Sequence, residues 1–183
     1  MHDDDDPRLL RLLRTGDTSA FARLYERYRG LLYAYCVRIL IDPSLAEDAV
    51  QETFLKLRSH AGGITDPGVL RSWLYRVARN EALGMVRQRR NGRTVDPESA
   101  WDNETPESAL DRKDAAGMVQ SVLSALKEEY RDVIVLREFE GLTYAEIAAV
   151  TGDSESSVKS RLFKARKALA KKLAPWWKER DRQ

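Results

Sequence analysis

The side chains Lys159, Arg161, Lys164, Arg166, Lys167, Lys171 and Lys172 crowd one stretch of the chain, and no acid lies between Ser156 and Lys178. Cations at that density attract phosphate oxygens. Between them Val158, Leu162, Ala165, Leu169 and Leu173 recur at steps of three and four, which places them on one face of a helix. Ser154 is positioned to cap that helix. If the apolar face turns inward, the other side presents Ser156, Ser160, Phe163, Lys164 and Lys167. Ser160 suits a base edge, Phe163 a thymine methyl group, and Lys164 a guanine edge or a phosphate. Lys159, Arg161 and Lys167 suit phosphates, which fix register without reading sequence.

The elements needed to position this face are written just before it. Thr143 and Glu146 have the spacing of a capping box, opening a short helix that carries Ile147 and Val150. Thr151-Gly152-Asp153 then interrupts the pattern, as a tight turn with positive φ does. Short helix, glycine turn and basic helix form the helix-turn-helix pattern, whose second helix enters the DNA major groove. A helical hairpin with a solvated basic face has the same spacing, and this stretch alone leaves both readings open.

Two other stretches hold candidate contact groups. In a helix expected from about Val69 to Arg90, Leu70, Trp73, Leu74 and Val77 pack its first half. Arg76, Arg79, Asn80, Arg87 and Arg90 form a basic stripe beside them, with Arg89 nearby. Cations next to Trp73 and Tyr75 suit single-stranded nucleic acid, where phosphates need charge and unstacked bases need flat faces. A surface helix with a buried Trp73 fits the segment equally. Upstream, AEDAVQETFLKLR turns Ala46, Val50, Phe54 and Leu57 inward. Asp48, Gln51, Glu52 and Leu55 share another, mostly polar face, where the leucine beside acids suggests a protein-docking surface.

Composition removes several classes of function. Cys36 is the only cysteine and His2 and His60 the only histidines, so no internal disulfide and no Cys/His zinc cluster can be assembled. No glycine-rich phosphate loop and no recognisable catalytic set is present, and no cofactor is expected. No apolar run approaches the roughly 20 residues that span a bilayer. The acidic start MHDDDDPRLL is unlike a signal peptide, which together with the lone cysteine points to the cytoplasm. The net charge of +2 is unevenly spread. Residues 1–94 hold 16 basic and 12 acidic side chains, residues 95–114 hold 2 and 7, and residues 115–183 hold 13 and 10. Two mildly basic blocks therefore flank an acidic connector.

Taken in order, Asp3 to Asp6 reads as a solvated, frayed leader before a short leucine-rich helix. Asp17 or Thr18 caps the next helix, where Phe21, Leu24, Tyr25, Tyr28, Leu32, Tyr35 and Ile39 repeat at helical spacing as core packing. Asp42-Pro43 ends it, and Ser44 with Glu47 supplies a second capping-box spacing. Residues 60–68 read as a loop. Residues 91–114, with Gly92, Pro97 and Pro106, read as an extended or disordered linker, in which Trp101 is unusual. Helical spacing resumes at Met118, Val119, Val122, Leu126, Tyr130, Val133 and Ile134. Trp176-Trp177 and the charged tail have no evident role. The fold expected is all-α: two small helical domains, 1–94 and 115–183, joined by an acidic flexible linker, with the helix-turn-helix in the second.

Five stretches in order carry a family resemblance: GDTSAFARLYERY (16–28), AEDAVQETFLKL (46–57), RSWLYRVARNEAL (71–83), VIVLREFEGLTYAEIAAVTG (133–152) and SVKSRLFKARKAL (157–169). The chain resembles bacterial RNA polymerase sigma factors of the extracytoplasmic-function subgroup. The resemblance implies a transcription initiation factor without enzymatic activity, working with core RNA polymerase, promoter DNA and an anti-sigma factor, and with no membrane insertion of its own. It implies that Asp48, Gln51, Glu52 and Leu55 dock on the clamp helices of the β′ subunit, with the β subunit also in contact. Asp66, Trp73, Arg76, Arg79, Asn80, Arg87 and Arg90 would capture the melted minus-ten element. The acidic linker would thread the polymerase channel. Ser156, Ser157, Lys159, Ser160, Arg161, Phe163, Lys164 and Lys167 would read the minus-thirty-five element. Gly84, Lys127, Ser157 and Phe163 depart from residues common in the family (Asp, Pro, Thr and His in turn). A stand-alone helix-turn-helix regulator is the competing reading, though it leaves the basic-aromatic helix and the acidic linker unused.

Overall fold

Four helices of the computed structural model begin at a side chain that accepts from the free amides of the first turn. The model describes residues 5–92 and 115–180. The expected linker, Trp101 and the extreme tail lie outside the described residues, as do the side chains of Arg90, Trp176 and Trp177. Helix α1 is Asp6–Arg14, and α2, Thr18–Leu40, starts at Asp17, whose carboxylate accepts from the amides of Ser19 and Ala20. Those bonds, the Ser19 hydroxyl first, hold the Asp17 pKa below its ordinary value. Helix α3, Pro43–His60, is capped by Asp42, which accepts from Ser44 N and Leu45 N. The capping box expected from Ser44 and Glu47 therefore does not form. Asp42, two residues upstream of Ser44, starts the helix earlier, with Pro43 in the first turn, where its missing N–H costs nothing.

Residues 60–68 contain the end of α3 and two 3-10 turns, Ala61–Gly63 and Pro67–Val69, before α4, Leu70–Gly92. The second block has α5, Ala115–Ser124, and α6, Glu128–Ile134. Helix α6 widens into a π-helical turn, Val135–Phe139. The helix-turn-helix follows as α7, Tyr144–Thr151, and α8, Glu155–Arg180. No strand occurs among the described residues.

The aromatic stripe of α2 packs inward. Phe54 of α3 meets Phe21 edge-on at 6.2 Å between ring centroids and lies 4.7 Å from Tyr25. Leu24, Leu32, Leu57, Leu70 and Leu74 are fully buried, each contributing about 1.5–3 kcal/mol by leaving water. The leader differs from expectation at its last residues. Asp6 is buried and accepts from Arg27 and from the Tyr28 hydroxyl, while Asp5 pairs with Arg23. A carboxylate matched by an arginine and a phenol is held in place, whereas an unmatched acid would stay in solvent.

The two blocks pack on each other. Their buried side chains form one continuous apolar cluster, with α4 against α7 and α2 against α5, α6 and the π-turn. Two acids of the second block reach into the first. Asp132 accepts from the Tyr35 hydroxyl at 2.9 Å and from Arg79 Nε at 2.5 Å. Glu140 accepts from the Tyr75 hydroxyl at 2.6 Å and lies 3.4 Å from Arg38 Nη1. Arg131, also buried, donates to Ile39 O at 2.9 Å.

Candidate nucleic-acid interface

The helix-turn-helix is built as its sequence dictates. Thr143 Oγ1 accepts from Glu146 N, and Glu146 Oε2 accepts from Thr143 N at 2.7 Å, so both halves of the capping box are made. Gly152 takes φ +76° and closes α7 by donating to Ala148 O at 2.9 Å; a side chain there would be strained. Ser154 Oγ accepts from Ser157 N at 3.2 Å and caps α8. Val158, Leu162 and Ala165 are buried and Leu169 is half-buried. The remaining side of the helix is open: Ser156, Lys159, Ser160, Phe163, Lys164 and Lys167 are exposed, Phe163 by 71%. A phenyl ring left in water on a rigid helix, ringed by serines and lysines, has the character of a contact residue.

Two basic residues of this element hold it together. Arg161 grips Asp153 of the turn with both terminal nitrogens, at 2.5 and 3.2 Å. That pairing lowers the Asp153 pKa and raises that of Arg161. Lys159 lies 5.6 Å from the Tyr144 ring centroid, and Arg137 stacks on that ring at 5.0 Å. Ser157 is half-buried. A shallow cleft of about 420 Å³ between α6 and α8 is lined by Glu129, Tyr130, Ser156, Ser157, Ser160, Arg161 and Lys164.

Helix α4 has two differently used sides. Arg76, Asn80 and Arg87 are exposed, with Trp73 half-buried beside them, and Asp66 is exposed in the preceding loop, where its carboxylate accepts from Gly68 N at 2.8 Å. Arg71, Tyr75 and Arg79, spaced by four, face the second block. Tyr75 is fully buried against Tyr35, edge to face at 5.5 Å, so it offers no surface to a base. Burial and the Glu140 carboxylate push the Tyr75 phenol well above its ordinary pKa. Burial draws the Arg79 pKa down, but Asp132 more than offsets it. Burial likewise raises the pKa of Glu140 against the opposing pull of Tyr75, Arg38 and Arg71.

On α3, Asp48, Gln51, Glu52 and Leu55 are exposed together, Leu55 by 58%. Beside them a cleft of about 550 Å³ between α2 and α3 is lined by Tyr25, Arg29, Tyr33, Glu47, Val50 and Gln51. The paired acids Asp132 and Glu140 were not singled out by spacing. Their one sequence signal is an acid set within the apolar runs DVIVL and FEGL. Among the described residues, no group of three or more His, Cys, Asp or Glu side chains is placed to hold a metal ion, and no helix is long and apolar enough to cross a membrane.

A basic helix-turn-helix beside a bundle with its own basic helix is the arrangement of a promoter-recognition factor. Sigma-70 region 2 matches residues 24–92, and Sigma-70 region 4 matches residues 116–169. RNA polymerase sigma-H factor of Pseudomonas aeruginosa is 34% identical over 188 residues, covering 96% of this chain and 97% of that protein. ECF RNA polymerase sigma factor SigK of Mycolicibacterium vanbaalenii is 32% identical over 176 residues, covering 90% and 87%. The structure of CnrH in complex with the cytosolic domain of CnrY superposes with a TM-score of 0.73 at 28% identity, covering 94% of this chain and 99% of that one. The chain belongs to the sigma-70 family of RNA polymerase sigma factors, in its extracytoplasmic-function branch. It is an alternative sigma factor, which directs RNA polymerase to promoters.

Proposed function

We propose that the exposed face of α8 reads the minus-thirty-five element, the open side of α4 holds the melted minus-ten strand, and the outer face of α3 docks on the polymerase clamp helices. The observation that carries this reading is the free face of α8. Its apolar side is spent on the core, yet it still presents Phe163 among Ser156, Ser160, Lys164 and Lys167. In that assignment Ser160 and Phe163 specify bases, while Lys159, Lys164 and Lys167 neutralise phosphates. Ser157 and Arg161 act from the edge of the face, the arginine through the turn it fastens.

On α4, Arg76, Arg87 and Arg90 follow the backbone of the displaced strand, with Trp73, Asn80 and Asp66 beside the unpaired bases. Arg79 joins them once the second block moves away. Asp48, Gln51 and Glu52 supply charge and hydrogen bonds to the clamp, and Leu55 supplies the apolar anchor. The protein does no chemistry of its own and works in the cytoplasm. An anti-sigma protein restrains it, as CnrY accompanies CnrH.

The docking part is tested by reversing charge at Asp48 and Glu52. Both are exposed and off the core face, so helix content should be unchanged while affinity for core polymerase falls about tenfold or more, which is about 1.4 kcal/mol. Unaltered holoenzyme formation in a fluorescence or gel-filtration titration would sink the assignment.

A further inference from the structure

The loop between α3 and α4 carries Asp66, and it is braced by a helix outside all three contact faces. Helix α1 packs on α2 and also on both 3-10 turns of that loop, Ala61–Gly63 and Pro67–Val69. Its own footing is firm. Leu9 and Leu10 are fully buried, Asp6 is buried against Arg27 and Tyr28, and Asp5 pairs with Arg23. From that footing the last residue of α1, Arg14, donates from Nε to Ala61 O at 3.2 Å, across 47 residues of sequence.

The other bonds of the loop are short-range. Ile64 N donates to the same Ala61 carbonyl at 3.3 Å, Gly68 N to the Asp66 carboxylate at 2.8 Å, and the Ser72 hydroxyl to Val69 O at 3.0 Å. Ala61 and Ile64 are buried, while Thr65, Asp66, Gly68 and Val69 are exposed. Between the two buried residues lie Gly62 and Gly63, where an added Cβ would meet nothing within 4 Å. Two glycines in open space give the backbone freedom that packing does not remove. A group that reads a ligand has to stay within about 0.5 Å of its productive position. The guanidinium on the Ala61 carbonyl supplies the restraint these glycines lack, through a donor that carries charge.

We propose that Arg14 is a positioning residue for minus-ten recognition: α1 is a strut, and Arg14, gripping the Ala61 carbonyl, fixes the 61–69 loop so that Asp66 meets an unpaired base in one geometry. The inference rests on the minus-ten role given to Asp66 above. Arg14 acts through the backbone and touches no base, so its loss widens the set of tolerated bases and leaves binding itself in place.

The test compares Arg14→Ala and Arg14→Lys in the full chain and in reconstituted holoenzyme. Arg14 is exposed, so helix content and affinity for core polymerase should match the wild type in both. Hydrogen exchange of the free chain should show the Ile64 and Gly68 amides exchanging about fivefold faster in Arg14→Ala, with the amides of α8 unchanged. Selection from promoters randomised across the minus-ten element should show Arg14→Ala relaxing preference at one base by about fivefold, the scale of one charged hydrogen bond. The minus-thirty-five profile and the salt slope should not change. Lysine keeps a cationic donor for the carbonyl, and Arg14→Lys should recover most of both effects. Unchanged exchange in Arg14→Ala overturns the strut. Faster exchange with unaltered minus-ten preference overturns the positioning role, and a reduced salt slope in that case assigns Arg14 to a phosphate. Asp66→Ala tests the underlying reading separately: a wild-type preference in that variant removes the minus-ten role of Asp66, while the exchange result still decides whether Arg14 holds the loop.

Discussion

Helices α4 and α8 are both long, amphipathic and basic, but they meet the rest of the molecule differently. Helix α8 buries one apolar face within its own block and leaves Ser156, Lys159, Ser160, Phe163, Lys164 and Lys167 exposed on its other side. Helix α4 buries its apolar face in the first block and then gives a second, polar face to the other block through Arg71, Tyr75 and Arg79. One helix is ready as it stands; the other is only partly available. A basic stripe therefore tells where phosphates can bind, and the carboxylates packed on it tell whether they can bind yet.

The largest effect expected from breaking this comparison is on stability. Leu162 lies at the centre of the buried side of α8, and Leu162→Ala should cost about 2–5 kcal/mol through lost burial and the cavity left behind. Thermal unfolding followed by circular dichroism should show a lower midpoint. An unchanged midpoint would mean that this side of α8 is not the core side.

Next comes Asn80→Ala, on the open side of α4, where nothing of the second block intervenes. Holoenzyme carrying it should still form closed complexes, with open complexes reduced about tenfold, the cost of about 1.4 kcal/mol. Permanganate reactivity of unpaired thymines reads the difference. Equal loss of both complexes, or of neither, would remove Asn80 from the melted strand.

Much of the helix-turn-helix, α7 and α8, was legible because its determinants are local. The capping box spans four residues, the glycine turn three, and the apolar repeat needs no partner from elsewhere. The cap of α3 was missed by two residues, since the helix starts at Pro43 and Asp42 takes the amides of Ser44 and Leu45. The covered side of α4 was not legible. Tyr35 and Asp132 are 97 residues apart in sequence, and Arg79 and Asp132 are 53 apart. Periodicity decides which side of a helix faces its own core and is silent about a second block arriving from beyond a linker. For the same reason Tyr75 read as an aromatic beside cations, when it is a buried phenol bonded to Glu140.

The smallest effect concerns Cys36, buried on α2 near Glu140. Burial, with a contribution from Glu140, pushes its pKa from 9.0 up to about 12. A raised folded-state value means that the neutral thiol favours the folded form. Its contribution to stability is complete below pH 9 and is lost as pH rises from about 9 to 12. At pH 8 the thiol should be alkylated by iodoacetamide no faster than the closed chain opens or unfolds. Rapid labelling under native conditions would contradict its burial.

The central claim, that the free face of α8 separates base readers from phosphate holders, is tested most directly by a promoter-library selection. Reconstituted holoenzymes carrying wild-type sigma, Phe163→Ala or Lys167→Ala would each select from randomised minus-thirty-five sequences at two salt concentrations. Phe163→Ala should relax preference at one position, by about 1–3 kcal/mol of discrimination, and leave the salt dependence unchanged. Lys167→Ala should select the same sequences as wild type, bind all of them more weakly, and lower the salt slope by about one. A Phe163→Ala profile indistinguishable from wild type, or a Lys167→Ala profile with altered base preference, would contradict the assignment of that face.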